Sequence, residues 1–167
     1  MKRKIGALIL ALSLVFMLAG CAAFTMPRPE VKEGSFEFSV TYELNGEVTT
    51  VEDTYFCEYK GVSATLEGSF YRAWEGHFDG GMAGDTIKIC DTEDGGEIIL
   101  SFLIYPEYFM GEPDYVENFT PIYELAVYYY DEEGHIIDSS NDEDVLAGFG
   151  ARVLAFEYGE PIENSFN

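Results

Sequence analysis

Between Phe36 and Leu44 the chain alternates without a fault. Phe36, Phe38, Val40, Tyr42 and Leu44 are separated by the polar residues Glu37, Ser39, Thr41 and Glu43. A strict period of two predicts a strand with one face in a core and the other in water. Asn45-Gly46 follows at once, the pair that best tolerates the positive φ angles of a two-residue type I′ hairpin turn. Such a turn fixes the register. It sets Leu44 against Glu47, Tyr42 against Thr49, Val40 against Val51 and Phe36 against Tyr55, so the inward set continues on odd numbers. Val51, Tyr55, Cys57 and Tyr59 obey, while Asp53 breaks the series and marks an expected bulge or twist.

The remainder reads as more of the same architecture. Gly61 to Gly84 carries Phe70, Tyr71, Trp74 and Phe78 among several glycines, a pattern of short strands and loops. Thr86 to Cys90 is a strand, Asp91 to Gly96 a turn, and Ile98 to Tyr105 a nearly continuous apolar strand of the kind found at a sheet centre. A long connection from Pro106 to Pro121 leads to a strand at Ile122 to Tyr130, a turn at Asp131 to Gly134 and a partner strand at His135 to Asp138. One short helix is expected near residues 141–149. Ser140 and Glu143 form a capping box, Asp142, Glu143 and Asp144 suit the positive first turn, and Gly148 or Gly150 ends it. Arg152 to Tyr158 returns as a strand. The fold class is therefore mostly β, an antiparallel β-sandwich or barrel-like domain of about eight strands.

The N-terminus has a different character. Lys2, Arg3 and Lys4 precede an uncharged run ending in Leu18-Ala19-Gly20-Cys21. A positive start, an apolar run and small residues before the cut define a secretory signal. The run is shorter than the roughly 20 residues of a comfortable membrane span. The tetrad resembles the lipobox of prokaryotic membrane lipoproteins without departure. The resemblance implies that residues 1–20 are removed and that Cys21, the only nucleophilic sulfur there, takes a diacylglyceryl group, with further acylation (a palmitate, for example) on the new amine. Two acyl chains anchor stably where one does not. The implied location is the extracytoplasmic face of a bacterial cell membrane, in the cell envelope. Residues 21–34, with Pro27 and Pro29, read as the lipidated cysteine and a tether, and residues 35–167 as one acidic, β-rich globular domain.

Charge narrows the function classes. All 31 acids follow residue 20 and three of the nine bases precede it, leaving six bases and a formal −25. Phosphate binding needs the opposite sign, so nucleic acid is excluded as a partner. With aromatics at 16% the chain is too apolar to be an acidic disordered tail. Beyond Cys21, only Cys57 and Cys90 remain as a candidate disulfide. Cys57 is in step with Tyr55 and Tyr59, whereas Cys90 opposes Ile87 and Ile89, so a bridge would need a bulge or a shared sheet edge.

No catalytic, cofactor or metal site is legible. His77 and His135 lack a second ligand at zinc spacing. No phosphate loop or Gly-x-Ser-x-Gly occurs. The turn Asp91 to Glu97 lacks the calcium spacing of an EF-hand. The best candidate binding surface is aromatic. Tyr108 and Tyr115 lie in the Pro106–Pro121 connection, too long to be a plain link, and Tyr128 and Tyr130 take the face of their strand opposite Tyr123, Leu125, Val127 and Tyr129. The reading is a lipid-anchored, non-catalytic binding or interaction module for a protein or glycan. The alternatives are a small envelope hydrolase with paired carboxylates and a cation-binding structural domain.

Overall fold

The computed structural model describes residues 26–80 and 85–167. The signal, Cys21 and part of the glycine-rich stretch before Asp85 lie outside the described residues. Eight strands form two antiparallel four-stranded sheets. β1 (Glu33–Leu44), β2 (Glu47–Ala64), β3 (Phe70–Phe78) and β8 (Ala151–Tyr158) make the first, in the order β3-β2-β1-β8. β4 (Thr86–Asp91), β5 (Gly96–Leu103), β6 (Ile122–Tyr130) and β7 (Ile136–Ser140) make the second, in chain order. Three short helices complete the described residues: α1 (Pro106–Phe109), α2 (Pro113–Asn118) and α3 (Glu143–Gly148). The fold is mostly β and sandwich-like, as the alternation predicts.

The first hairpin has the register its turn dictates. Leu44 pairs with Glu47, Tyr42 with Thr49, Val40 with Val51 and Phe36 with Tyr55. Asn45 and Gly46 take φ of 52° and 85°, the signature of the primed turn. The inward residues of β1 and β2 meet those of β5 and β6 in one core. Phe38 stands edge-on to Phe102, with ring centroids 5.1 Å apart, and Phe102 stacks on Phe156 at 5.7 Å. Ile98, Leu100 and Val127 are fully covered. Full burial of a large apolar side chain is worth roughly 1.5–3 kcal/mol, so this shared layer is what joins the two sheets.

Several local expectations need correction. Asp53 pairs regularly with Phe38 and causes no bulge there; its Oδ1 accepts from the Thr54 amide at 2.7 Å, so a local hydrogen bond satisfies the polar group. The irregularities fall instead between Tyr59 and Gly61, between Thr41 and Tyr42 against β8, and between Lys88 and Cys90. Phe70 to Phe78 is one continuous strand. The long connection folds into α1 and α2, each started by a proline at a first helical position, where its missing N–H is no loss. The helix near 141–149 is present, but its cap is Asp142 rather than Ser140. Asp142 accepts from the Asp144 and Val145 amides, while Ser140 Oγ accepts from the Asp142 amide one step earlier.

The expected tether over 21–34 is docked from Arg28 onward. The Arg28 amide donates to the Asn167 carbonyl at 2.7 Å and the Asn167 amide returns the bond at 2.9 Å. The Glu30 amide donates to Ser165, and Asn164 closes on both backbone groups of Val31. Proline in this segment marks an edge pairing, Pro29 with Phe166, which proline tolerates.

The cap assignment has a direct check. Asp142→Ala should lower unfolding free energy in urea by about 1 kcal/mol, and Ser140→Ala by clearly less. The reverse order would restore Ser140 as the cap.

Candidate functional site

The residues with most chemical content converge where α1 packs on β3 and β2 and α2 packs on α1. β3 presents Arg72 and Trp74, and the junction between α1 and α2 presents Glu112. Arg72 grips the Glu112 carboxylate with two guanidinium nitrogens, Nε to Oε1 and Nη2 to Oε2, both at 2.5 Å. The Trp74 indole N–H donates to Oε1 at 2.9 Å. Glu112 is only 7% exposed and is the buried charged residue among those described. A buried carboxylate needs such partners, because desolvation alone costs several kcal/mol. Arg72 also donates to the Pro27 carbonyl at 3.3 Å and lies 4.1 Å from the centre of the Phe166 ring. The lock thus gathers β3, the helical connection, Pro27 and Phe166.

Beside it opens a cleft of about 460 Å³, lined by Phe70, Tyr71, Arg72, Glu107, Asp114 and Tyr115 among others. Tyr71 stands half in solvent, and Tyr115 stacks on Phe119 at 5.0 Å. Burial, and secondarily the Glu112 charge, push the Glu107 carboxyl above the ordinary glutamate range. Asp114 sits exposed at the rim. The cleft therefore has ring faces on its walls and one carboxyl that resists ionisation.

The four candidate tyrosines do not form one surface. Tyr115 belongs to this cleft. Tyr108 is corrected to a core residue, buried and edge-on to Phe109 at 5.3 Å, because α1 turns its side chain inward. Tyr128 and Tyr130 lie half-buried on the outward face of the second sheet, Tyr128 paired with Glu97 and with Ser139. Tyr123, expected in the core, is 43% exposed and packs edge-on to Phe156. Sequence reasoning missed Arg72, Trp74, Glu107 and Glu112. The one cue was a lone arginine and a lone tryptophan two residues apart on a strand.

Cys57 and Cys90 are both free. Cys57 is buried in β2 of the first sheet and Cys90 sits in β4 of the second, beyond a bulge. Burial and the Glu107 charge push the Cys57 thiol up to about 12, so it is no thiolate nucleophile at neutral pH. His77 pairs with Phe56 and shares its face, while Cys57, the next residue, takes the opposite one. Three acids of the Asp91–Glu97 turn, Asp91, Asp94 and Glu97, are engaged by the chain itself. Lys88 bridges Asp91 at 2.8 Å and Glu97 at 2.5 Å, and the Tyr129 hydroxyl donates to Asp94 at 2.9 Å. Asp131, Glu133 and His135 bring donor atoms within 4.8 Å of one another at an exposed turn, where Asp131 caps the Glu133 and His135 amides. No family model, curated protein or solved structure matches this chain.

Glu107 makes a pH prediction. Its folded pKa lies above its unfolded one, so the fold favours the protonated form. That contribution is full below the unfolded glutamate value and is lost as pH rises through the folded value. Glu107→Gln, which stays neutral, should therefore raise the melting temperature at pH 7 and leave it nearly unchanged at pH 3.5. Equal effects at both pH values would contradict the assignment.

Proposed function

We propose that this chain is a lipid-anchored extracytoplasmic binding module, held at the cell membrane through Cys21, whose Tyr71–Tyr115 cleft takes a neutral ring-bearing ligand of the glycan class. The observation that carries the binding reading is the commitment of Glu112. Its two oxygens are occupied by Arg72 and Trp74. A hydrolase of the two-carboxylate kind needs one acid to protonate and a second, free carboxylate to act as base or nucleophile; the buried Glu112 is taken up and does not serve in the second role, which leaves Asp114 at the rim as the other acid of the lining. Tyrosine faces flanked by a few polar groups suit sugar rings, which present C–H faces and hydroxyl edges.

The lipobox residues Leu18-Ala19-Gly20-Cys21 support the anchor. Six residues separate Cys21 from Arg28, so the leash would span about 25 Å at most. The cleft, built beside Pro27, would work close to the membrane. A second reading is favoured by Glu107 and Asp114: a half-buried carboxyl shifted toward its protonated form, in a cleft with Asp114 exposed at the rim, is also what a glycosidase acid requires. Turnover of an envelope glycan, abolished by Glu107→Gln, would replace the binding reading with this one.

Two measurements test the proposal. Cys21→Ser should move the protein from the membrane to the soluble fraction and remove lipid mass from its N-terminus. Persistent membrane association would overturn the anchor. Titrating the Cys21→Ser chain with peptidoglycan fragments and neutral oligosaccharides should give saturable binding. Tyr115→Ala or Tyr71→Ala should weaken it about tenfold, the scale of a ring contact worth roughly 1–1.5 kcal/mol. Absence of binding to every sugar probe would overturn the glycan assignment.

A further inference from the structure

Two strand edges, those of β8 and β6, lie side by side without a backbone hydrogen bond between them among the described residues. β8 pairs with β1 on one side only, as the last strand of its sheet. β6 pairs with β5 from Ile122 to Tyr129, but with β7 only from Val127 to Tyr130. Its Ile122–Ala126 stretch is therefore open on the β7 side. Among the described residues, no backbone hydrogen bond joins β8 to this stretch of β6. The strands touch where Tyr123 meets Phe156, and an opening lies between Tyr123–Leu125 of β6 and Ala151–Val153 of β8.

The opening is a groove of about 600 Å³, bounded at one end by Asn141 and α3. Leu125, Leu146, Ala151 and Val153 give it an apolar floor. Its carboxylates are Glu43, Glu124 and Glu143, and its one base, Arg152, is already paired with Glu43 at 2.6 Å. An unpaired edge offers a row of N–H and C=O groups to an added strand. The acidic rim, on a chain of formal charge −22, selects the sign of what can be added.

We propose that this groove receives an extended, cationic segment of another protein, laid along β8 as an additional strand, with alternate apolar side chains on the floor and lysine or arginine toward Glu124 and Glu143. The segment would complete the hydrogen bonding of both edges and join the two sheets. The groove lies at the Leu44 end of β1 and the Tyr71–Tyr115 cleft at its Glu33 end, roughly 35 Å apart by strand rise. The proposal is therefore independent of the glycan reading.

The test uses the Cys21→Ser chain and a labelled ten-residue peptide alternating valine with lysine, with a valine–glutamate peptide as control. Fluorescence anisotropy should show saturable binding of the lysine peptide, and at least tenfold weaker binding of the control. Ala147→Trp, an exposed charge-neutral change that fills the groove, should cost the lysine peptide at least tenfold. Glu124→Lys with Glu143→Lys should do the same. Bound peptide should also slow amide hydrogen exchange at Ala151–Leu154. Binding unaffected by Ala147→Trp would mean attraction to the net charge only and would overturn the proposal. So would no binding, or concentration-dependent dimerisation lost in Ala147→Trp, which would make a second copy the occupant.

Discussion

Among the described residues Glu112 is the charge this fold buries, and the arrangement around it depends on keeping that charge paired. Two guanidinium bonds and one indole bond satisfy it. Removing one partner of a buried pair typically costs about 3–5 kcal/mol, because the other charge is left stranded. Replacing the whole set by apolar groups of the same shape would cost far less. The lock is thus a device of position more than of stability. It can close only when β3 carries Arg72 and Trp74 in phase, α1 and α2 turn Glu112 inward, and Pro27 and Phe166 lie alongside. The cleft inherits its shape from that agreement.

The first hairpin was legible because its determinants are local. A period of two and an Asn-Gly pair fix the register of Phe36 through Tyr55 with no knowledge of the rest. The Ile98–Phe102 strand was legible for a related reason, since an apolar run says centre of a sheet whichever neighbours it has. What escaped was either nonlocal or finely balanced. Arg72 and Glu112 are forty residues apart, and nothing periodic relates them. The docking of residues 28–31 depends on a C-terminal tail that carries no strand pattern. Ser140 and Asp142 are both competent caps, and two residues decide between them. Tyr108 and Tyr115 looked equivalent in a connection that folds into two separate turns of helix, which send one inward and leave the other on a cleft wall.

Acidity has two roles in this molecule. Over most of the surface it is solvated and partly neutralised by the few bases, as at Lys60 between Glu58 and Glu75. In the two recesses it is placed differently. In one, burial shifts Glu107 toward its protonated form, with Asp114 exposed at the rim. In the other, Glu43, Glu124 and Glu143 surround an apolar floor. The same composition therefore gives two recesses of different electrostatic character, at opposite ends of β1.

The pairing of residues 28–30 with residues 165–167 has a mechanical consequence. Force applied ahead of Met26 reaches the 28–30 and 165–167 pairing first, and then β1. That strand lies between β2 and β8, with hydrogen bonds across its axis on both sides. A load along β1 meets those bonds in shear, many at once, instead of opening them one by one as at an edge. Placing the first strand inside its sheet makes the N-terminal end the strong end from which to pull.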